Sequence, residues 1–175
     1  MKLRESQQAG PITDFLLEDH RRLEGLLQSA VTQAGSIDQG TYDQFRAGLL
    51  RHIGMEEKIL LPAAQRLRGG EALPIASKLR LDHGAIASLL MPPPTASIIA
   101  TIRAVLEVHN TIEEGSGGLY ETCDVLAGSE SAQLLAKLQA APELAVLPCS
   151  DSPAVMPAVQ RALERAGYDF CKEKT

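Results

Sequence analysis

The chain has 175 residues, which suits one domain of ordinary size with a terminal extension. Hydrophobic residues make up 45% of it and aromatics only 3%, with no Trp, so a core must come mostly from Leu, Ile, Val and Ala, a palette that favours packed helices over β-sandwiches. The net charge of −5 offers no basic field for nucleic acid, and no apolar run approaches the roughly 20 residues that span a bilayer.

Taken in chain order, the start Met-Lys-Leu-Arg-Glu-Ser-Gln-Gln is polar and lacks the apolar stretch of a signal peptide. Three widely spaced cysteines, Cys123, Cys149 and Cys171, form no CxxC pair, so a cytoplasmic, reducing setting is expected. Gly10-Pro11-Ile12-Thr13-Asp14 offers a helix entry with Thr13 as N-cap. Leu16, His20, Leu23 and Leu27 then recur at helical spacing, fading near Ala34-Gly35-Ser36. A second helix begins between Asp38 and Thr41 and places Phe45, Leu49, His52, Met55, Ile59 and Ala63 on one stripe. Pro62 falls inside that stripe and predicts a kink or change of direction; Arg68-Gly69-Gly70 ends the helix.

A third helix from about Pro74 aligns Ile75, Leu79, His83, Ile86 and Leu90 and is stopped by Pro92-Pro93-Pro94. A fourth from Thr95 or Ala96 presents Ile98, Ile102, Val105, Leu106, His109, Ile112 and Glu113. Gly115-Ser116-Gly117-Gly118 follows at once. Three glycines inside a helix cost on the order of 2–3 kcal/mol against alanine, so a break is the first reading and a small-residue path to the interior the second. Past Ala127-Gly128 the pattern gives a helix over 129–140, a loop with Pro142, Pro148 and Pro153, and a last helix from about Val155 to Ala166 with Gly167 as C-cap. The expected fold is all-α: an up-down four-helix bundle over residues 10–127 with a C-terminal helical extension over 128–175, packed on the bundle or serving a partner.

The two halves of the bundle repeat. Leu16 to Leu27 can be set above Leu79 to Leu90, so that Asp19-His20 falls on Asp82-His83. His52-Ile53-Gly54-Met55-Glu56-Glu57 likewise pairs with His109-Asn110-Thr111-Ile112-Glu113-Glu114. Each half contributes one lone His and one His-x-x-x-Glu. An α-helix advances about 100° per residue, so Glu56 shares a face with His52, and Glu113 with His109.

The interior would then hold four imidazoles and two carboxylates, with no Lys or Arg on the inner stripe to neutralise them. An unpaired buried carboxylate costs several kcal/mol or more, and a multivalent cation removes that cost. Mixed imidazole and carboxylate donors suit iron, then manganese or zinc. Six donors are too many for one tetrahedral zinc. With two metals, each receives two His and both glutamates bridge; a bridging oxo or hydroxo leaves an open position on each ion for O₂, NO or peroxide.

Other residues read more plainly. A lone His on an apolar face is more often a core residue than a ligand, but four in register, two with Glu at i+4, are not explained by packing. Glu24, four residues after His20, is flanked by Arg21, Arg22 and Gly25 and reads as a solvated ion-pair residue. Asp19 and Asp82 cannot share the face of the histidines they precede and read as supporting or surface groups. Glu57 and Glu114, about 140° from their histidines, reach towards solvent or a neighbouring helix edge. Cys123 reads as a buried structural thiol, and Tyr120 as core packing first and a hydrogen bond towards the site second.

The order lone His, His-x-x-x-Glu, lone His, His-x-x-x-Glu over residues 10 to 127 resembles the hemerythrin-like HHE cation-binding domains. That resemblance implies a di-iron centre with His20, His52, Glu56, His83, His109 and Glu113 as ligands. Oxygen-carrying hemerythrins have a further histidine on the third helix, where this chain has Leu79 and Ala87 four residues either side of His83. The ligand set is closer to bacterial iron–sulfur cluster repair proteins and to the iron-sensing domain of an F-box protein. The expectation is a metal-binding protein that senses or handles O₂, NO, peroxide or iron, rather than an enzyme. The rivals are a di-iron oxidase or peroxidase, a cluster repair-type protein, and a metal-free helical adaptor. Expected partners are a diatomic ligand or peroxide at the metal, and a second copy or another protein through 129–175, with neither nucleic acid nor membrane.

Overall fold

The computed structural model describes residues 10–33 and 35–171; the polar start, residues 1–9, lies outside the described residues, as do Ala34 and residues 172–175. The described residues are helical with one isolated β-bridge, Val31 to Ile37. The helices are α1 (Pro11–Ala30), α2 (Gln39–Met55), α3 (Leu61–Leu67), α4 (Ala76–Leu89), α5 (Ala96–Glu114), α6 (Leu119–Ala127), α7 (Ser131–Gln139) and α8 (Val155–Ala166). None is long and apolar enough to cross a membrane.

The entry to α1 corrects the sequence reading. Gly10, not Thr13, is the N-cap, and Pro11 occupies the first turn, where a missing N–H costs nothing. The cap comes from α6. The Asp124 carboxylate accepts from the Ile12 N–H (3.1 Å), the Thr13 N–H (2.9 Å) and the Thr13 hydroxyl (2.6 Å). A Cβ on Gly10 would collide with that carboxylate, so the close approach requires glycine. The exit differs too: α1 stops at Ala30, ahead of the expected fade near residue 34, because Val31 turns extended to bridge Ile37. At α2 the Asp38 side chain caps Thr41 (2.8 Å) as its position suggested. Residues 74–75 form a turn, so α4 begins two residues after Pro74.

Pro62 has a consequence beyond a kink. α2 and α3 are joined by one π-helical turn, Glu56–Leu60, in which the Leu61 N–H bonds the Glu56 carbonyl five residues back. Widening the turn makes room for a proline ring that has no N–H to give and would clash with the carbonyl four residues back. One extra residue enters the turn, and the buried stripe slips. The apolar residues packed inside after Met55 are Leu60, Leu61 and Ala64, while Ile59 and Ala63 are only half-buried.

Two apolar clusters form the core. The first contains Leu23, Leu27, Phe45, Leu49, Ile86, Ile98, Ile102 and Val105; the second contains Ile12, Leu16, Met55, Leu60, Leu79, Leu119 and Tyr120. Burying each such side chain contributes about 1.5–3 kcal/mol. α1 and α4 run from the second cluster to the first, and α2 and α5 run the opposite way. Each of the four crosses between clusters at its histidine: Leu16, His20, Leu23 on α1; Leu49, His52, Met55 on α2; Leu79, His83, Ile86 on α4; Val105, His109, Ile112 on α5. A polar layer thus lies between two apolar ones. α7 packs on α1 and adds Leu134 and Leu138 to the second cluster, while α8 packs on α4 and adds Val155, Val159, Leu163 and Ala166 to the first.

The glycine run does break the helix, between α5 and α6. Gly117 sits at φ +73°, and a Cβ on Gly118 would lie within 2.7 Å of the carbonyl oxygens of Ile112, Glu113 and Gly115. The break re-aims the chain so that Leu119, Tyr120 and Cys123 all enter the second cluster. Gly118→Ala is expected to lower unfolding free energy by about 1–3 kcal/mol, since backbone oxygens cannot step aside. A chemical-denaturation midpoint measures this, and an unchanged midpoint would mean that the turn yields freely.

Candidate metal centre

The polar layer brings together all six residues nominated from sequence. Donor atoms of His20, His52, Glu56 and Glu113 lie within 4.8 Å of one another, and so do those of Glu56, His83, His109 and Glu113. The two groups share both glutamates. Glu56 and Glu113 are completely buried, His52, His83 and His109 are at most 4% exposed, and the His20 side chain is 9% exposed. His52 Nε2 stands 3.2 Å from Glu56 Oε1, and His109 Nε2 stands 3.1 Å from Glu113 Oε1. These two contacts are the i+4 pairs of the repeated motif.

Every imidazole turns Nε2 to the centre and Nδ1 to a carboxylate outside it. His52 Nδ1 meets Asp19 (2.8 Å) and His109 Nδ1 meets Asp82 (3.4 Å) within their own hairpins. His83 Nδ1 meets Glu57 (2.6 Å) and His20 Nδ1 meets Glu114 (2.5 Å) across hairpins. Such carboxylate–histidine pairs fix the ring and its tautomer and leave Nε2 free to bind a cation. Three of the outer carboxylates are held by cations in turn: Asp19 by Arg22 (2.8 Å), Asp82 by Lys78 (2.6 Å) and Glu57 by Arg80 (3.2 Å). No such cation reaches Glu56 or Glu113 among the described residues.

This architecture gives the doubled Glu-Glu of each motif a purpose. The first Glu faces its own histidine, and the second crosses to the lone His of the other hairpin. Asp19 and Asp82 support the ring of a facing helix. Sequence reasoning left their partners open, although their recurrence at matching positions of both halves was a usable signal. Glu24 is exposed, and no ion pair of it is formed among the described residues; the basic neighbour Arg22 turns to Asp19 instead. Cys123 is buried, and burial, with Asp124 and Glu56 nearby, pushes its thiol up to about 12, which suits packing rather than redox work.

Tyr120 has the role that came second from sequence. Its Oη lies 2.7 Å from Glu56 Oε1, 2.9 Å from His20 Nε2, 3.1 Å from Glu113 Oε2 and 3.2 Å from His52 Nε2.

The residues fit a multivalent cation. Glu56 Oε2, Glu113 Oε1 and His83 Nε2 are fully buried and have no hydrogen-bond partner, although His83 Nε2 is only 3.0 Å from Glu56 Oε2. Donors that crowd one another without bonding are aimed at a common point. Among the described residues, protons are the only neutralising charge at the two glutamates. Burial opposes a charge on His52, but Glu56 and Asp19 outweigh it and raise its pKa to about 10. Burial also opposes a charge on His83, where Glu113, Glu56 and Glu57 prevail and raise it to about 10, and on His109, where Asp82 and Glu113 raise it to about 9. His20 moves the other way, lowered by burial and by its neighbour His52. Glu56 is held well below the ordinary carboxylate range; burial acts against this, and His52 and His83 overcome it.

Asp19→Asn removes the charge behind His52 and is expected to weaken metal binding about 10- to 100-fold. Asp82→Asn, whose contact is longer, is expected to do less. Competition against a coloured chelator measures both, and equal or absent effects would deny the outer carboxylates this part.

The model of the hemerythrin HHE cation binding domain matches residues 12–141, a span that takes in α1 to α7 and the whole of the layer described above. No curated protein and no solved structure matches the chain. With three quarters of the sequence matched, and the histidines and glutamates that could hold a metal gathered in its centre, the chain belongs to the hemerythrin HHE cation-binding domain family, which implies binding of metal ions, typically iron.

Proposed function

We propose that the chain is an up-down four-helix bundle that binds a pair of irons and uses them to sense or handle O₂, NO, peroxide or iron itself. His20 and His52 would hold one iron, His83 and His109 the other, and Glu56 and Glu113 would serve both. The observation that carries the reading is the set of buried, unpartnered donor atoms on both glutamates and on His83. A metal-free adaptor would have no reason to keep them. The bound pair would supply Lewis acidity and one-electron chemistry, while the protein holds the ligands in register and limits access. Three free cysteines suit a reducing cytoplasm.

Access is through a cavity of about 530 Å³ between α1, α2, α4 and α5. Its walls are Leu23, Leu27, Leu49, Ile86 and Leu106, His20, His52 and His109 lie along it, and Glu24, Arg103 and Glu107 are exposed at its edge. This volume exceeds what a diatomic needs, which favours a second reading, a di-iron oxidase or peroxidase with a small organic substrate. Titrating iron-loaded protein with O₂, NO and peroxide under absorption spectroscopy separates the two. A sensor gives a change that saturates at one equivalent, and an enzyme consumes peroxide or an organic reductant over many turnovers. No response to any of the three would sink the enzyme reading and the handling of O₂, NO or peroxide, leaving only iron itself as what is sensed.

A further inference from the structure

The repeat is symmetric in its histidines, glutamates and supporting carboxylates, but not in Tyr120. Tyr120 lies eleven residues after His109; the position eleven after His52 is Ala63, half-buried and with nothing to offer a metal. The phenol arrives from the second apolar cluster, on α6, a helix aimed by the glycine break. Its Oη contacts four atoms, and they come from His20, His52, Glu56 and Glu113, the four residues of one metal group.

A phenol has one hydrogen to donate, so it cannot serve two carboxylates at once. The distances fit coordination better. With metal–donor bonds of about 2.1 Å, neighbouring corners of an octahedral shell are about 3.0 Å apart. Oη lies between 2.7 and 3.2 Å from all four donors, and the donors lie 3.2 Å (His52 Nε2 to Glu56 Oε1) and 3.5 Å (His20 Nε2 to Glu113 Oε2) from one another. The four Oη distances and the His52–Glu56 distance match neighbouring-corner spacing, so the Tyr120 oxygen could take a place beside these four donors on one ion. Among the described residues, the group built on His83 and His109 has no comparable oxygen, and the unpartnered atoms His83 Nε2, Glu56 Oε2 and Glu113 Oε1 all face it.

We infer that Tyr120 is a seventh metal ligand, bound through its phenol oxygen to the ion held by His20 and His52, and that the His83–His109 ion is the one left open to an external ligand. The inference rests on the proposed di-iron reading. On coordination the phenolic proton passes to solvent, leaving the phenolate oxygen on the metal, with no change of oxidation state.

The test loads the full chain and Tyr120→Phe with iron, oxidises both to the ferric state, and records iron per chain, visible absorption and resonance Raman spectra. Wild type is expected to show a phenolate-to-iron(III) charge-transfer band with enhanced phenolate ring vibrations. Tyr120→Phe is expected to keep its fold, to lose the band and those vibrations, and to bind one of its two irons more weakly. Full iron loading without phenolate vibrations in wild type would overturn the ligand assignment and leave the di-iron reading standing. Failure of wild type to take up iron would overturn both. The wild-type spectrum decides the matter even if the variant does not fold.

Discussion

Glu113→Ala is expected to empty both metal positions, taking bound metal from about two per chain to well below one, because its carboxylate is common to both groups. His52→Ala removes a donor from one group only and is expected to leave about one metal per chain. The contrast, not either value alone, reports on sharing. Elemental analysis after desalting reads it directly. If the two variants lose metal equally, the glutamates do not bridge. Neither loss should be mistaken for unfolding: Glu113 has His109 at 3.1 Å and His83 at 3.8 Å, and without the carboxylate those imidazoles can shed their protons. A far-ultraviolet spectrum close to wild type is therefore expected of the metal-free variant.

Metal binding should also be steeply pH-dependent. His52 and His83, at about 10, and His109, at about 9, carry protons at neutral pH in the metal-free protein, while His20 is lowered and carries none. A metal must displace those three protons, and coordination by Tyr120 as proposed displaces a fourth, so loading at pH 7 is expected to release three protons from the histidines and one from the phenol, about four per chain. The histidine protons contribute a slope approaching about 3 per pH unit to the logarithm of the affinity from pH 7, a contribution that is lost between 9 and 10, while the Tyr120 proton adds about 1 throughout. The stability of the metal-free form follows the same groups with opposite sign. Their pKa values are raised on folding, so their contribution is full below the unfolded value near 6.5 and is lost as pH rises through 9 to 10. The metal-free melting temperature should thus fall between pH 7 and 10 while that of the loaded protein holds. At the acid end the depressed carboxylates of Glu56, Asp19 and Asp82 act in reverse, giving up their contribution as pH falls through their folded values. Calorimetry in two buffers of different ionisation enthalpy counts the protons, and fewer than one released would contradict this charge balance.

Much of the centre was legible in sequence because its logic is local. An i+4 glutamate shares its histidine's face whatever the rest of the chain does, and a motif present in both halves announces its own importance. α8 was legible from Val155 to Gly167 for the same reason: a short amphipathic run with a left-handed glycine cap depends on few distant contacts. What escaped depends on contacts across the fold. Glu57 reaches His83 and Glu114 reaches His20, partners fixed only once the hairpins are docked. Asp124 caps α1 from more than a hundred residues away, which no N-cap rule anticipates. Pro62 signalled trouble in its helix, but only the fold shows that the trouble resolves as an inserted π-residue, moving Leu60 and Leu61 to the inside. Tyr120 needed the glycine break before its reach could be judged.

The central claim is that these six residues hold a pair of metals, and counting iron tests it most directly. Protein reconstituted anaerobically with ferrous iron and then desalted should retain about two irons per chain, and a chelator that strips them should lower the melting temperature. Retention of well under one iron, with a melting temperature indifferent to the chelator, would contradict the account.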